Sequence, residues 1–262
     1  DDENSQKFQA LGKRTLEEAA KMASAVDVRM LTQSRLATNI TNGIIHAFKE
    51  YDASEIIMGL HEKKTDGDKF WGIFTPDLVN QLNRQIILCR CNRPLNTLRR
   101  ILVAVPSRVE FEQGFYRWIE RLARLAENLS CRIIFHGRIE STSLINEYIR
   151  NQHPGVRAEY VLMEHWKEFT QLAQQMSSDH MLVVISARQG TVSYKPVFER
   201  LPLELYRHYH EHNLMVVFPD QNGQSPEDMT FTAPQHHSVD SAYSSIVNWV
   251  MNKIDKGRSD AS

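Results

Sequence analysis

Asp52-Ala53-Ser54-Glu55-Ile56-Ile57-Met58-Gly59 decides the fold, because Asp179-His180-Met181-Leu182-Val183-Val184-Ile185-Ser186 repeats its pattern. Each is a polar lead followed by a short apolar run that stops at a small residue, as a strand buried on both faces does. The neighbours repeat as well. The preceding helices align, with Ile45 on Leu172, and the strands before them align, with Val26 and Val28 on Val156 and Ala158. Pro76 falls on Pro202, and 86–88 falls on 214–216. The offset stays near 127 residues through four elements. One register kept that long marks an internal repeat rather than chance.

Outward from these runs, strands alternate with helices. Phe8, Leu11, Leu16, Ala19 and Met22 recur at helical spacing over 5–25, and Val26, Val28 and Met30 then alternate with polar residues as a strand does. A helix is expected over 40–51, a strand over 55–59, a helix opened by Pro76 and running to about 84, and a strand over 86–88. Asn92-Arg93-Pro94-Leu95-Asn96 is rich in turn residues and breaks the chain. Beyond it, strands are expected at 101–105, 131–135, 156–162, 181–185 and 214–218. Helices are expected at 115–129, 142–151, 166–176 and 202–212. Such alternation predicts parallel sheets with helices on both faces. The second copy opens with a strand, helix and strand over 101–135 that have no counterpart in the first. The first copy therefore reads as lacking its N-terminal β-α-β, and the sequence as a piece of something longer.

Bulk properties narrow the function classes. A formal net charge of −1 argues against a general nucleic-acid binder. Cys89, Cys91 and Cys131 are too few for a disulfide framework, and Cys89-Arg90-Cys91 lacks the two-residue spacing of redox and zinc pairs. A reducing compartment follows. No run approaches the ~20 apolar residues that span a bilayer, and the start, Asp1-Asp2-Glu3-Asn4, has no signal-peptide character.

With the repeat in place, the residues resemble a known family. Arg100-Ile101-Leu102-Val103-Ala104-Val105 looks like the first strand of a universal stress protein, and Ala53-Ser54-Glu55-Ile56-Ile57-Met58-Gly59-Leu60-His61 looks like its fourth-strand signature. The resemblance extends to Phe218. It implies an α/β fold class: two doubly wound parallel-sheet domains in tandem, of the adenine nucleotide alpha hydrolase-like kind, the first lacking its N-terminal β-α-β. The boundaries are 1–92, 98–219, and 220–262 for a linker and C-terminal amphipathic helix. The resemblance also implies a phosphate loop of spaced glycines ending in a hydroxyl, which serves ATP or AMP in many members. Here Gly59 and Gly72 hold the outer glycine positions, Glu62 holds the middle one, Ile73 replaces the hydroxyl, and His61 sits beside the loop's start. In the second copy Ser186 and Gln189 replace glycines, and Pro106 replaces the acidic residue after the first strand. Both nucleotide sites read as eroded, and no cofactor or metal is expected.

Other constellations carry two readings each. His208 and His212 fall four apart on a helix and suit a shared metal, or else they are a solvated helix end near the negative dipole pole. His236-His237 sits in a polar linker. Arg188, Lys195, Arg200 and Arg207 suit an anion or a solvated basic face, and Phe70 and Trp71 suit a stacking platform or a plug in the former cleft. Tyr243, Ile246, Val247, Val250 and Ile254 form one apolar helical face, for self-packing or for a partner. No hydrolase elbow, zincin or P-loop motif is present, and no catalytic residues are assigned.

The resemblance then implies a non-catalytic cytosolic regulatory module of a bacterial cation/proton (Na+/H+) antiporter of the inner membrane. Its partners would be the membrane domain of the same parent transporter and, within the chain, the other copy as a pseudo-dimer, with a homodimer possible and no nucleic acid. Competing readings are a free-standing tandem universal stress protein binding ATP or AMP, and an enzyme such as a nucleotidyl transferase on the same fold. Family resemblance also predicts that 86–88 and 214–218 meet as antiparallel edges, since exposed apolar edges invite pairing.

Overall fold

The computed structural model describes residues 2–35, 37–60, 70–72 and 74–221. Seven apolar runs form one sheet: β1 Glu55–Gly59, β2 Gln85–Arg90, β3 Arg100–Ala104, β4 Arg132–Gly137, β5 Ala158–Leu162, β6 His180–Ile185 and β7 Asn213–Phe218. Their order is β1-β2-β7-β6-β3-β4-β5. Every neighbouring pair is parallel except β2 and β7, which run antiparallel, with Ile86 opposite Phe218 and Leu88 opposite Val216. The expected meeting of these two runs is what the backbone shows. The fold is α/β, built on one continuous, mostly parallel sheet.

Alternation along each strand sends side chains to two cores. One face carries Ile87, Ile101, Val103, Ile133, Phe135, Met181, Val183 and Val217 under α4 (Phe115–Asn128) and α5 (Ile139–Gln152). Phe115, Trp118, Ile119, Leu122 and Ala126 make the buried stripe of α4, and each large side chain so buried stabilises the fold by about 1.5–3 kcal/mol. The other face carries Ile86, Leu88, Leu102, Leu182, Val184, Leu214 and Val216. Covering it are α2 (Ile40–Glu50), α3 (Thr75–Gln81), a 3-10 helical run Trp166–Gln175 and α6 (Leu201–Tyr209). Asn39 caps α2 by accepting from the Asn42 N–H at 3.0 Å, and Pro76 opens α3 where its missing N–H costs nothing. α1 (Asp2–Ala25) buries no side chain among the described residues.

Four expectations change. Val26, Val28 and Met30 alternate but form no strand, and all three are exposed. Their counterpart β5 pairs with β4, and among the described residues the first half has no strand in the place of β4. Alternation without a ladder partner leaves backbone groups to water. Second, the repeat slips by one position between β1 and β6, while β2 and β7 keep the expected match, Ile86 and Leu88 sharing a face with Leu214 and Val216. Ile56 and Met58 share a face with Leu182 and Val184, so Ile57 corresponds to Val183 rather than Val184. A one-residue error of this kind inverts the face of every side chain. Third, 166–175 winds as a 3-10 helix, in which residues three apart eclipse. Trp166 stacks on Phe169 there, ring centroids 5.5 Å apart. Fourth, α6 stops at Tyr209, short of His212. His236, His237 and the amphipathic run 243–254 lie outside the described residues.

Candidate functional site

β3 and β6 lie side by side, yet their connections leave in opposite directions: β3 continues through α4 on one face, β6 through α6 on the other. A crevice opens outside the C-terminal ends of two such strands, and doubly wound sheets place ligands there. Two loops form its walls, 105–114 after β3 and 186–196 after β6.

The loop after β6 folds inward on itself. Ser186 is buried and its N–H bonds the Val217 carbonyl. Gly190, at φ +87°, turns the chain back in a conformation that a Cβ would strain. Thr191 then bonds the Arg188 carbonyl with its N–H at 3.2 Å and its hydroxyl at 2.9 Å. Arg188 itself is buried. Its Nε donates to the Val79 carbonyl at 3.1 Å, Nη2 to the Arg84 carbonyl at 2.6 Å, and Nη1 to the Pro219 carbonyl. Burial pulls this guanidinium down to about 10, against the opposing pull of Asp220 and Glu112.

The facing loop supplies an acid. Glu112 is buried; Oε1 accepts from the Ser193 N–H at 2.8 Å and hydroxyl at 2.6 Å, and Oε2 from the Gln221 side chain at 3.0 Å. Asp220, also buried, pairs with Arg117 at 2.7 Å and faces Arg84 at 3.9 Å. Gly114 lies directly against the Asp220 backbone, which leaves no room for a Cβ. These groups close the inner part of the crevice with the chain's own donors and acceptors.

The outer part is cationic. Arg108 holds a left-handed conformation at φ +67° after β3, and Arg138 follows β4. Arg138 is 3.6 Å from Glu164. Burial, then Arg138 and Arg108 together, pulls the Lys195 ammonium below its usual range. His136, at the end of β4, is buried with Nε2 lacking a hydrogen-bond partner, and desolvation pulls it down.

The expected site residues disperse. Gly59 ends β1 in the open, and a Cβ there meets nothing within 4 Å. Gly72 has φ +77° and uses glycine's freedom. His61, Glu62 and Ile73 lie outside the described residues. Phe70 and Trp71 pack edge-on at 5.1 Å, and Trp71 meets Phe218 at 6.0 Å. Phe70 is buried in the second core and Trp71 packs half-buried against it. Of the four basic residues, Arg188 is committed to carbonyls, Arg200 and Arg207 are exposed, and Lys195 alone meets other cations. The helical pairing of His208 with His212 is not realised, and the described residues hold no metal-ligating cluster. The sequence reading missed Glu112, His136, Arg108 and Arg138. Glu112 and Ser193 lie far apart in the chain, and no local motif joins them; only the positions of Arg108 and Arg138, just past strand ends, hinted at a role.

No protein-family model matches the chain, and no curated protein matches it. Solved structures do. A universal stress protein from Archaeoglobus fulgidus DSM 4304 superposes with a TM-score of 0.56 at 14% identity, over 84% of this chain and 82% of that one. A functionally unknown protein from Pseudomonas aeruginosa PAO1 gives 0.47 at 17% identity, over 79% and 78%. The cytoplasmic domain of a prokaryotic cation chloride cotransporter gives 0.45 at 9% identity, over 74% of each chain. The first of these establishes a shared fold; the other two superpose too loosely to support an argument.

Proposed function

We propose that residues 1–92 and 98–219 are two copies of a universal-stress-protein-like domain, joined through β2 and β7 as an intrachain pseudo-dimer. The module they form is non-catalytic and regulatory. The observation that carries this reading is the crevice between β3 and β6, whose inner wall is filled by Arg188, Glu112, Ser193 and Gln221 bonded to one another's loops and to carbonyls. A nucleotide phosphate there would have to displace a buried carboxylate that already has its donors, which is costly. Chemistry on a nucleotide needs an activated nucleophile or a metal-binding acid pair; the carboxylates of these loops, Glu110 and Glu112, are instead held by Ser141 and Ser193, which supports the non-catalytic reading.

The role of the module follows the sequence resemblance: regulation of a monovalent cation/proton antiporter from the cytoplasmic side, with the parent's membrane domain as partner. Among the described residues no helix is long and apolar enough to cross a membrane, which suits a part that works beside one. The test compares cation-driven proton exchange in membrane vesicles carrying the antiporter with and without residues 1–262. A changed pH or cation dependence is expected, and identical curves refute the assignment.

One observation favours a second reading, a free-standing tandem protein binding ATP or AMP. Arg108, Arg138 and Lys195 gather positive charge at the outer crevice, and such a cluster attracts an anion. Calorimetry of residues 1–262 with ATP, ADP and AMP separates the two. We expect no low-micromolar affinity and no phosphate release above background. A low-micromolar dissociation constant that Arg138→Ala raises establishes the second reading instead.

A further inference from the structure

The sheet has two outer edges, and each is a strand paired on one side only among the described residues. β5 ends the sheet beside β4. At the other end β1 pairs with β2 on one side only, and no described strand pairs with its outer side. The Leu60 N–H reaches back to the Cys89 carbonyl at 2.7 Å, so by strand alternation the amides of Ile57 and Gly59 point outward, toward the open edge.

The molecule contains its own control for this edge. β6 stands to β7 as β1 stands to β2, and on the corresponding side β6 is paired along its length with β3, in parallel, from His180 against Arg100 to Val184 against Ala104. α4, the helix after β3, then covers that face. Val183 is 0% exposed beneath it, whereas the corresponding Ile57 is 63% exposed. The opposite face of β1 is already covered, since Ile56 and Met58 pack against the second core. Among the described residues one edge and the face at Ile57 are thus left open together, while Arg117 and Arg121 of α4 reach only Ser54 and Glu55 at the start of the strand. The entrance to β1 is also acidic where Asp52 lies exposed, and on the other half the backbone and side chain of Arg99 meet Asp179 in that region.

We propose that the open edge of β1 is a docking site for a strand-then-helix polypeptide segment from outside residues 1–262. The segment adds parallel to β1, takes up the outward amides of Ile57 and Gly59, and lays an apolar helix face over Ile57. Its chemistry is that of the unit seated on β6: a basic entry residue, a strand of about five β-branched or aliphatic residues, then an amphipathic helix. Main-chain bonds supply affinity in such strand addition, and side-chain pockets supply choice of partner.

The test uses a labelled peptide of residues 98–129 as the probe, added to residues 1–262, with hydrogen exchange read at individual amides. Saturable binding with new protection at Ile57 and Gly59 is expected. Ile57→Lys, at an exposed position that the fold itself does not need, should weaken binding about tenfold or more, and Ile57→Val should retain it. Absence of saturable binding overturns the proposal. So does protection of these amides without peptide that rises with protein concentration, since a second copy would then hold the edge.

Discussion

The guanidinium of Arg188 donates to carbonyls from separate stretches of chain, Val79 and Arg84 in the first half and Pro219 after β7, so it ties the two halves together at the crevice. Arg188→Ala would leave three carbonyls without this donor. It should lower stability by about 3 kcal/mol, read as a shift in the urea midpoint with little change in slope. Arg188→Lys should restore only part, because an ammonium cannot match the planar fork. Buried and half-buried histidines weaken the fold in acid. Desolvation pulls His136, His180 and His212 below the ordinary 6.5. Below that value the unfolded chain takes up protons that the folded chain refuses. Their contribution is therefore complete above about pH 6.5 and is lost as pH falls toward the depressed values. Urea midpoints measured between pH 7.5 and 5 should decline, and His136→Phe should flatten the decline.

Elements differ in how far a sequence announces them. β1 and β6 are legible because a short apolar run with a polar lead has few other uses, and their repetition in one chain doubles the signal. α4 is legible from one stripe; Trp118→Ala should cost about 3–5 kcal/mol, measured by thermal or urea unfolding. The stretch 26–30 has a strand's alternation and no strand, because a ladder needs a neighbour, and alternation describes only one partner. The loop after β6 drew notice in the sequence through Arg188 and Lys195, but the crevice it walls and the crevice's contents did not. Glu112 meets Ser193 and Gln221, and Arg188 meets Val79, only after the sheet is assembled. The glycine pattern pointed to Gly59, where the backbone needs no glycine, while Gly114, which the Asp220 backbone crowds, belongs to no motif. Gly114→Ala should therefore destabilise by about 1–3 kcal/mol, with the loss visible in calorimetry, whereas Gly59→Ala should be nearly neutral.

At the scale of the molecule, the two cores each draw strands from both halves, with Ile87 and Val217 in one and Leu88 and Val216 in the other. Unfolding of residues 2–221 should then be a single cooperative event. Val216→Pro, in the strand that joins the halves, should lower the one calorimetric transition by the equivalent of about 3 kcal/mol or more. Two resolved transitions would show that the halves are independent. The same join has a consequence during synthesis. β2 leaves the ribosome well before its partner β7, with roughly 125 residues still to be made, and at 5–20 residues per second that is about 6–25 s. For that interval Ile86, Ile87 and Leu88 form an apolar ribbon with one side unclaimed. Nascent chains arrested before Asn213 should be cut by protease within 85–90 and captured by hydrophobic-peptide chaperones, and chains arrested after the whole of β7 has emerged should resist both.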